Sequence, residues 1–353
     1  MKALILSGGK GTRLRPITHT NAKQLIPIAN KPILFYGIEA IKEAGITDIG
    51  IIVGETREDV KQAVGNGDKW GVKITYIEQD EPLGLAHAVK IAEDFIGRDS
   101  FVMYLGDNLI KDGIKALVTE FKQNKPNAQI LLAKVPHPEQ FGVAELANGK
   151  VIRLEEKPVY PKSDLALVGV YMFDSSIFDA VKNIRPSSRN ELEITDAIQY
   201  LIDQKKVVHP HVVTGWWKDT GKLEDMLEAN SIILDTFTFK NEGRVDSASK
   251  IEGKVVIEKG AVIEGSTVRG PAIIGENARI INSYIGPYTS VYFGSHIESS
   301  EIEHSIILEN SQIVDIKRIA DSLIGQNVEI VKSHTRPQAY RIMVGDSSKI
   351  EII

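Results

Sequence analysis

The sequence contains no cysteine, and this absence excludes several kinds of site. None of the 353 residues carries a thiol, so disulfide bridges, thiolate metal ligands and cysteine nucleophiles are all ruled out. Any metal ion must therefore bind to oxygen or imidazole ligands.

Long apolar runs are also missing from the sequence. No stretch approaches the roughly 18 apolar residues that a membrane-spanning helix needs. Residues 1–9 carry one positive charge, and their apolar run is short and interrupted by glycines, which is unlike a signal peptide. We therefore expect no membrane partner and a cytoplasmic location.

An excess of charge of either sign is absent as well. The 42 Lys and Arg residues are balanced by 47 Asp and Glu residues, which leaves a net charge of -5. A surface built to neutralise a nucleic-acid backbone would be strongly basic, so polymeric DNA or RNA is not an expected partner. The 42% hydrophobic and 25% charged residues are typical of globular proteins. At about 150 residues per domain, the length predicts two domains.

Short apolar runs alternate with amphipathic stretches over residues 1–240. The runs typical of strands are residues 3–6, 49–53, 74–77, 101–105, 130–135 and 168–173. The stretches with helical spacing are residues 33–44, 58–64, 85–95, 113–123 and 194–203. This alternation predicts an α/β domain whose Rossmann-like sheet is mostly parallel, with helices on both faces. Binding sites in such sheets lie beyond the carboxyl ends of the strands.

The periodicity changes in residues 241–353, which we assign to a second domain. From Ile257 to Ile330, fourteen Ile or Val residues follow one another at spacings of five or six. Residues 251–330 contain 24 Ile or Val and only two Leu, a β-branched bias that favours strands. The pattern predicts a left-handed parallel β-helix of hexapeptide repeats, in which each anchor stacks on the one a coil below. A β-sandwich of short strands is the alternative, although irregular sandwich loops would not keep this spacing.

The loop after the first strand has the composition of a phosphate-binding loop. Residues 7–16 read SGGKGTRLRP, and Lys10, Arg13, Arg15 and Lys23 concentrate positive charge there. Glycines let backbone N–H groups approach an anion closely. Neither the Walker spacing nor the dinucleotide GxGxxG spacing is present. The alternative interpretation is an exposed structural loop.

Two aspartates are the best candidates for binding a hard metal ion. Asp107 lies in LGDN at the end of a predicted strand, and Asp219 lies in WKDTG. Carboxylate oxygens are suitable ligands for Mg²⁺. Without its context, an aspartate before asparagine is more often a turn former.

Nine sequence blocks then resemble one known family. In order they are GGKGTRLRP (8–16), KQLIPIANKP (23–32), EQDEPLGLAHA (78–88), LGDN (105–108), FGV (141–143), EEKP (155–158), LVGVYMF (167–173), ELEIT (191–195) and WKDTG (217–221). They resemble the sugar nucleotidyltransferases, and within them the long-form thymidylyltransferases with a β-helical tail. The resemblance implies transfer of a nucleotidyl group from dTTP to glucose 1-phosphate, with Mg²⁺ as cofactor.

The resemblance also implies roles for individual residues. It places Arg13, Lys23 and Asp107 in catalysis, and Asp107 and Asp219 on the metal. The implied nucleotide-binding residues are Leu6, Gly8, Gly9, Gly11, Thr12, Arg13, Gln24, Gln79 and Gly84. The implied sugar-phosphate-binding residues are Gly142, Glu156, Lys157, Gly169 and Trp217. A glutamine amide both donates and accepts, so Gln24 and Gln79 could pair with thymine or with uracil.

Three alternatives stay open. The enzyme could use UTP with glucose or N-acetylglucosamine 1-phosphate, or the chain could be a non-catalytic homologue that binds sugar nucleotides. The β-helix could carry an acyltransferase, although no long inserted loop is present to hold an acyl-CoA. We expect instead a structural role for the β-helix, with the chain forming a homo-oligomer through it.

Overall fold

The computed structural model describes residues 1–9, 11–19, 22–333, 342, 344 and 346–351. The chain divides into two compact units. The first unit contains Met1–Lys10, Asn21–Leu25 and Ile33–Asp219, and the second contains Gly11–Thr20, Ile26–Pro32 and Thr220–Ile353. Lys10 lies outside the described residues.

Among the described residues, helices and strands alternate through residue 241, and strands without helices follow it. The α-helices of the described chain are α1 (Ile33–Glu43), α2 (Arg57–Val64), α3 (Leu85–Ile91), α4 (Glu93–Ile96), α5 (Lys115–Asn124), α6 (Ile177–Asn183), α7 (Ile194–Asp203) and α8 (Leu223–Asp235). Short 3-10 helices are Thr12–Leu14, Ile17–His19, Lys23–Leu25, Asp68–Trp70 and Pro138–Gln140. The strands up to Asp219 are β1 (Lys2–Ser7), β2 (Pro27–Ile28), β3 (Lys31–Pro32), β4 (Asp48–Val53), β5 (Lys73–Glu78), β6 (Phe101–Leu105), β7 (Asn108–Ile110), β8 (Ala128–Lys134), β9 (Gly142–Ala147), β10 (Lys150–Glu156), β11 (Leu165–Phe173), β12 (Val208–Val212) and β13 (Trp217–Asp219).

The remaining strands are two or three residues long. They are β14 (Lys240–Asn241), β15 (Arg244–Val245), β16 (Lys250–Glu252), β17 (Val255–Ile257), β18 (Val262–Glu264), β19 (Thr267–Arg269), β20 (Ala272–Ile274), β21 (Arg279–Ile281), β22 (Tyr284–Ile285), β23 (Thr289–Val291), β24 (His296–Glu298), β25 (Glu301–Ile302), β26 (Ile306–Ile307), β27 (Gln312–Val314), β28 (Leu323–Ile324) and β29 (Glu329–Val331).

A large mixed sheet forms the centre of the first unit. Its strand order is β10-β9-β11-β6-β1-β4-β5, and β8 joins β11 to β12. The predicted Rossmann-like parallel order is found in β6-β1-β4-β5. β11 is antiparallel to β6, β8 and β9, and β12 lies parallel to β8. The sheet is therefore mixed beyond its parallel half.

Both faces of the sheet are buried, which explains the continuous apolar runs of its central strands. Along β1, Leu4 and Leu6 belong to the core on one face, whereas Ala3 and Ile5 belong to the core on the other. Because side chains alternate along a strand, one apolar strand contributes to both cores.

The β-helix predicted from the repeat is confirmed. Three all-parallel sheets run through residues 240–331, which is the arrangement of a left-handed parallel β-helix. One row of anchors pairs Ile263, Ile280, Ile297, Ile313 and Ile330 in register. The first four of these side chains are fully buried, so the anchors stack inward as expected.

At one corner of the β-helix, serines of successive coils stack and are hydrogen-bonded to one another. The Ser283 N–H donates to Ser266 Oγ, and the Ser300 N–H donates to Ser283 Oγ. These bonds satisfy backbone N–H groups at the corner, where the chain leaves one sheet and enters the next. They account for the small residues found between the anchors.

No helix in the described ranges combines the length and the apolar character that crossing a membrane requires.

Candidate functional site

The candidate site of the first unit lies at the carboxyl ends of four neighbouring parallel strands. Gly8 follows β1, Gly54 follows β4, Gln79 follows β5 and Asp107 follows β6. The Gly106 N–H donates to Leu6 O over 2.9 Å, and the Gln79 N–H donates to Val53 O over 2.8 Å. These bonds tie the loops after the strands to the sheet edge, which is where ligands bind in open α/β sheets.

Lys23 brings the two candidate metal ligands together. Its Nζ donates to Asp107 Oδ2 and lies 3.7 Å from Asp219 Oδ1. The Lys23 side chain is only 7% exposed, which is unusual for lysine unless the charge is paired. Asp219 reaches this position because β13 pairs with β7 and places Asp219 opposite Asn108.

The Asp107 carboxylate is held in its charged form. Burial raises the pKa of this carboxyl, but the Lys23 cation and the hydrogen bonds from Lys23 and Asn108 outweigh burial and lower the pKa below its usual value. Asp107 is therefore available as an anionic ligand at neutral pH.

The donor set fits a cation that takes its other ligands from a substrate. Within the described residues, no group of three or more His, Asp or Glu side chains is placed to hold a metal ion. Mg²⁺ is commonly bound by one or two carboxylates together with waters and substrate phosphates. Two carboxylates that share one cation, Lys23, match that chemistry.

A cleft of about 230 Å³ opens beside Asp107. Its lining residues are Leu6, Gly8, Gly9, Gln24, Gln79, Pro82, Gly84, Leu85, Ala88, Leu105, Asp107 and Glu191. The structure thus collects Leu6, Gly8, Gly9, Gln24, Gln79 and Gly84, six of the residues expected to bind the nucleotide, around one space. Leucine, proline and alanine side chains provide the apolar part of the wall, while two amides and two carboxylates provide the polar part.

Two buried polar atoms at this edge of the sheet, one of them in a residue that lines the cleft, lack a partner. Ser7 Oγ and Gln24 Oε1 make no hydrogen bond within the described part of the chain, although Ser7 is fully buried and Gln24 is 3% exposed. Buried polar groups are nearly always satisfied. Because Gln24 lines the cleft, its amide oxygen is a candidate acceptor for a hydrogen-bond donor.

Gly84 is required by its surroundings at the edge of the cleft. Its φ is +100°, and a Cβ there would lie 2.4 Å from Leu192 O. The Ala86 N–H donates to Leu192 O, and the Leu192 N–H donates to Leu83 O. The loop before α3 is thereby fastened to the segment that carries Glu191.

The candidate sugar-phosphate residues form a second polar cluster. Glu156 accepts hydrogen bonds from Thr195 and Arg189, each with a donor–acceptor distance of 3.2 Å. Arg189 also donates to Glu193, which is 3% exposed. Burial, and then the nearby Glu193 carboxylate, raise the pKa of Glu156.

Lys157 and Gly142 lie next to this cluster. Lys157 has a left-handed φ of 42°, and its N–H donates to Phe141 O. A Cβ on Gly142 would lie 2.5 Å from Thr195 Cγ2, so a larger residue there would displace the threonine that binds Glu156.

Gly169 and Trp217 meet at the side chain of Asn108. The Gly169 N–H donates to Asn108 Oδ1 over 3.3 Å, and Trp217 Nε1 donates to the same oxygen. A Cβ on Gly169 would lie 2.5 Å from Asn108 Oδ1. Trp217 also packs edge-on against Phe141, with ring centroids 5.6 Å apart. In this structure the Gly169 N–H is thus donated to Asn108, so its expected contact with a sugar stays a prediction.

Gly11, Thr12 and Arg13 belong to the second unit. Gly11 has a φ of +61°, precedes the 3-10 helix Thr12–Leu14 and accepts a hydrogen bond from Thr18 at its carbonyl. The Arg13 guanidinium lies beside Gly221, whose Cβ position would be 3.2 Å from two of its nitrogens. Arg13 is therefore next to Gly221, the last residue of the WKDTG block.

The family follows from a comparison with known proteins. The nucleotidyl transferase family model matches residues 2–236. The chain belongs to the nucleotidyl transferase family. It is 52% identical over 353 residues to the glucose-1-phosphate thymidylyltransferase of Streptomyces griseus, covering 100% of this chain and 99% of the relative. It is 55% identical over 354 residues to the enzyme of the same name from Streptomyces antibioticus, again covering 100% of this chain and 99% of the relative.

A solved structure with a similar fold covers part of this nucleotidyl transferase. It is assigned as a glucose-1-phosphate thymidylyltransferase from Bacillus anthracis and was determined with sucrose. The TM-score is 0.64 at 41% identity, with 68% of this chain and 98% of the other covered.

Sequence reasoning missed several residues of the site. His87 lies 3.0 Å from the Gln79 amide nitrogen, Asn108 accepts hydrogen bonds from Gly169 and Trp217, and Arg189 links Glu156 to Glu193. Asn108 and Glu193 stand inside the LGDN and ELEIT blocks, which is the signal that could have drawn attention to them. Nothing in the sequence marks Arg189.

Proposed function

We propose that this protein transfers a thymidylyl group from dTTP to α-D-glucose 1-phosphate and so forms dTDP-glucose and pyrophosphate. The observation that carries the proposal is the buried Lys23, which pairs with both Asp107 and Asp219 at the edge of a cleft lined by Gln24 and Gln79. Full-length similarity to two glucose-1-phosphate thymidylyltransferases supports the same reaction.

The reaction needs charge stabilisation more than proton transfer. A phosphate oxygen of the sugar phosphate attacks the α-phosphorus of dTTP, the bond from that phosphorus to the bridging oxygen breaks, and pyrophosphate leaves. The attacking oxygen is already ionised at neutral pH, so no general base is needed. Lys23 and Arg13 stabilise negative charge on the phosphates as the transition state forms.

Asp107 and Asp219 would hold the divalent metal, which we propose is Mg²⁺. Such an ion neutralises phosphate charge and polarises the phosphorus under attack. Lys23 keeps the two carboxylates close together in this structure, so their positions are set before the metal and the nucleotide arrive.

The nucleobase would bind to the two glutamines. Gln24 presents an unpartnered amide oxygen, which can accept the N3 hydrogen of thymine. Gln79 can donate to or accept from a base carbonyl through its amide. Apolar contacts from Leu6 and Pro82 would cover the faces of the ring.

The sugar phosphate would bind at the cluster around Glu156. The Glu156 carboxyl group would accept hydrogen bonds from sugar hydroxyls, and Lys157 would pair with the phosphate. Trp217 and Phe141 would provide an apolar wall, and Gly142, which has no side chain, lets Thr195 pack next to Glu156.

We also propose separate functions for the two parts of the chain. We assign catalysis to residues 1–240 and a structural and assembling role to residues 241–353, through which the protein forms a homo-oligomer. The family match ends at residue 236, which supports assigning catalysis to the first part. Phe293 of the β-helix is 41% exposed, and an exposed aromatic side chain of this kind could contact another copy of the chain. Light scattering would measure the assembly. The phosphorylated substrates support a cytoplasmic location.

A matrix of nucleoside triphosphates and sugar 1-phosphates tests the proposed reaction. Pyrophosphate release would be measured for dTTP, UTP, ATP and GTP against glucose, galactose and N-acetylglucosamine 1-phosphates, each with Mg²⁺ and with a chelator. We expect the highest kcat/KM for dTTP with glucose 1-phosphate and no turnover with the chelator. Preference for UTP, or binding of nucleotide without pyrophosphate release, would contradict the proposal.

A further inference from the structure

A strained hairpin lies directly after the segment that carries Lys23 and Gln24. Strands β2 and β3 pair antiparallel, with Ile28 opposite Lys31, so only Ala29 and Asn30 connect them. Both residues have positive φ, 48° for Ala29 and 60° for Asn30. A two-residue turn of this kind normally uses Asn-Gly, because alanine is strained in the left-handed region.

The side chain of Asn230 in α8 holds the strained residue in place. Its Oδ1 accepts hydrogen bonds from the Ala29 N–H over 2.9 Å and from the Ser290 hydroxyl over 2.6 Å. Its Nδ2 donates to Tyr288 O over 3.1 Å. Asn230 is fully buried, where an amide is stabilising only when it is hydrogen-bonded. One side chain therefore joins the hairpin to a coil of the β-helix.

The second residue of the turn binds the same coil. Asn30 Nδ2 donates to Val291 O over 2.9 Å. The Ala29 methyl group belongs to a small buried cluster with Leu234 of α8 and Ile273 of the β-helix. The turn is thus held by hydrogen bonds and by apolar packing, and all these partners belong to the second unit.

The turn held by Asn230 lies only a few residues along the chain from Lys23 and Gln24. Only Ile26, Pro27 and Ile28 separate Leu25 from Ala29, and Pro27 has a restricted φ. A shift of the turn would therefore be transmitted to Gln24 and Lys23, and a displacement of about 1 Å in a reacting group costs much of its contribution to catalysis.

We propose that Asn230 is a positioning residue, through which the β-helix keeps the Ala29 turn strained and so fixes Lys23 and Gln24 for nucleotidyl transfer. We call the hydrogen bonds that Asn230 makes to Ala29, Ser290 and Tyr288 the clamp. The role of the clamp in catalysis rests on the proposed function, whereas the clamp itself does not. In this view the β-helix serves the reaction within its own chain, in addition to any role in assembly.

Steady-state kinetics of Asn230→Ala with a second-site rescue test the proposal. We expect kcat for pyrophosphate release to fall at least about tenfold, the scale of losing a buried hydrogen-bonding group, while KM for glucose 1-phosphate stays within about twofold. Adding Ala29→Gly relieves the strain at the turn and should restore kcat. A purely structural role would lower the melting temperature without this rescue of kcat.

A matched control comes from the next residue of the helix. Ser231 donates its hydroxyl to Leu227 O of its own helix, so Ser231→Ala should leave kcat unchanged. Amide hydrogen exchange gives a readout that needs no activity. Exchange of the Ile28 and Ala29 amides should be faster in Asn230→Ala and unchanged in Ser231→Ala.

The outcomes separate the clamp from the reaction. A folded Asn230→Ala protein with wild-type kcat and wild-type exchange at Ala29 overturns the proposal. If that variant does not fold, Asn30→Gly, which removes the donor to Val291 O and tolerates the positive φ of this position, replaces it with the same expected loss and the same overturning result. If the wild-type protein releases no pyrophosphate, the proposed function fails, and the exchange comparison still decides whether the clamp exists.

Discussion

The amide nitrogen of Gln79 lies 3.0 Å from Nδ1 of His87. Burial, and then the neighbouring Lys90 cation, lower the pKa of His87 below its usual value, so the ring is neutral at about pH 7. In the tautomer that carries its proton on Nε2, the neutral ring accepts a hydrogen bond from the Gln79 amide at Nδ1. The Gln79 oxygen lies 3.1 Å from the position that a Cβ on Gly8 would take. We therefore expect the orientation of this amide, at the proposed nucleotide cleft, to depend on the protonation of one histidine.

We expect the affinity for dTDP-glucose to fall by about fivefold as the pH falls through the His87 pKa, since protonation puts a donor at Nδ1 opposite the Gln79 donor. Calorimetric titration with dTDP-glucose measures this, because both phosphates of that ligand keep one charge each over the range. His87→Asn is the control and should give a flat profile. An equally flat profile in the wild-type protein would reject the coupling.

Lys157→Ala should impair the use of the sugar phosphate selectively. We expect KM for glucose 1-phosphate to rise by at least about tenfold, as for the loss of one charged hydrogen bond, with KM for dTTP little changed. Initial rates with each substrate varied in turn measure the two constants. Lys162→Ala is the control, since that exposed lysine lies in the same loop. Equal weakening toward both substrates would show that Lys157 is assigned to the wrong subsite.

Gly84→Ala should destabilise the protein and weaken nucleotide binding together. Gly84 has φ +100° and ψ 170°, a backbone region almost restricted to glycine, which costs another residue about 1–3 kcal/mol, and the contact with Leu192 O adds to this cost. Gly149→Ala is the control for a positive φ without a steric contact, because its Cβ would meet nothing within 4 Å. Chemical denaturation and dTDP-glucose titration of both variants measure the difference. Equal stability of the two would mean that the loop yields to the added methyl group.

Periodic features of the fold were predictable from the sequence, whereas the antiparallel direction of individual strands was not. The spacing from Ile257 to Ile330 reports the stacking of coils directly, because each anchor is repeated by the geometry of one coil. β11 carries the same apolar run whether it pairs parallel or antiparallel, so its antiparallel pairing with β6 was not visible. The predicted helix at residues 85–95 is two helices, α3 and α4, which meet at Ala92.

The site was predictable where charge and glycine concentrate in short blocks. Lys23, Asp107 and Asp219 stand in such blocks, and the structure places the three side chains together. The amide of Asn230 and the turn at Ala29 were invisible, because their relationship depends on residues 201 positions apart and the turn lacks the glycine that usually marks it. The boundary at residue 240 and the role of each site residue stay predictions.

Turnover of Asp107→Asn and Asp219→Asn tests the account most directly, since both carboxylates are assigned to one metal ion beside the triphosphate. Pyrophosphate release from dTTP and glucose 1-phosphate would be measured at saturating Mg²⁺, with Asp203→Asn, an exposed helical carboxylate that binds Gln199, as the control. We predict at least about a 100-fold loss of kcat in each of the two variants, the scale of a lost transition-state contact, and no loss in the control. Near-normal turnover in both folded variants would contradict the account.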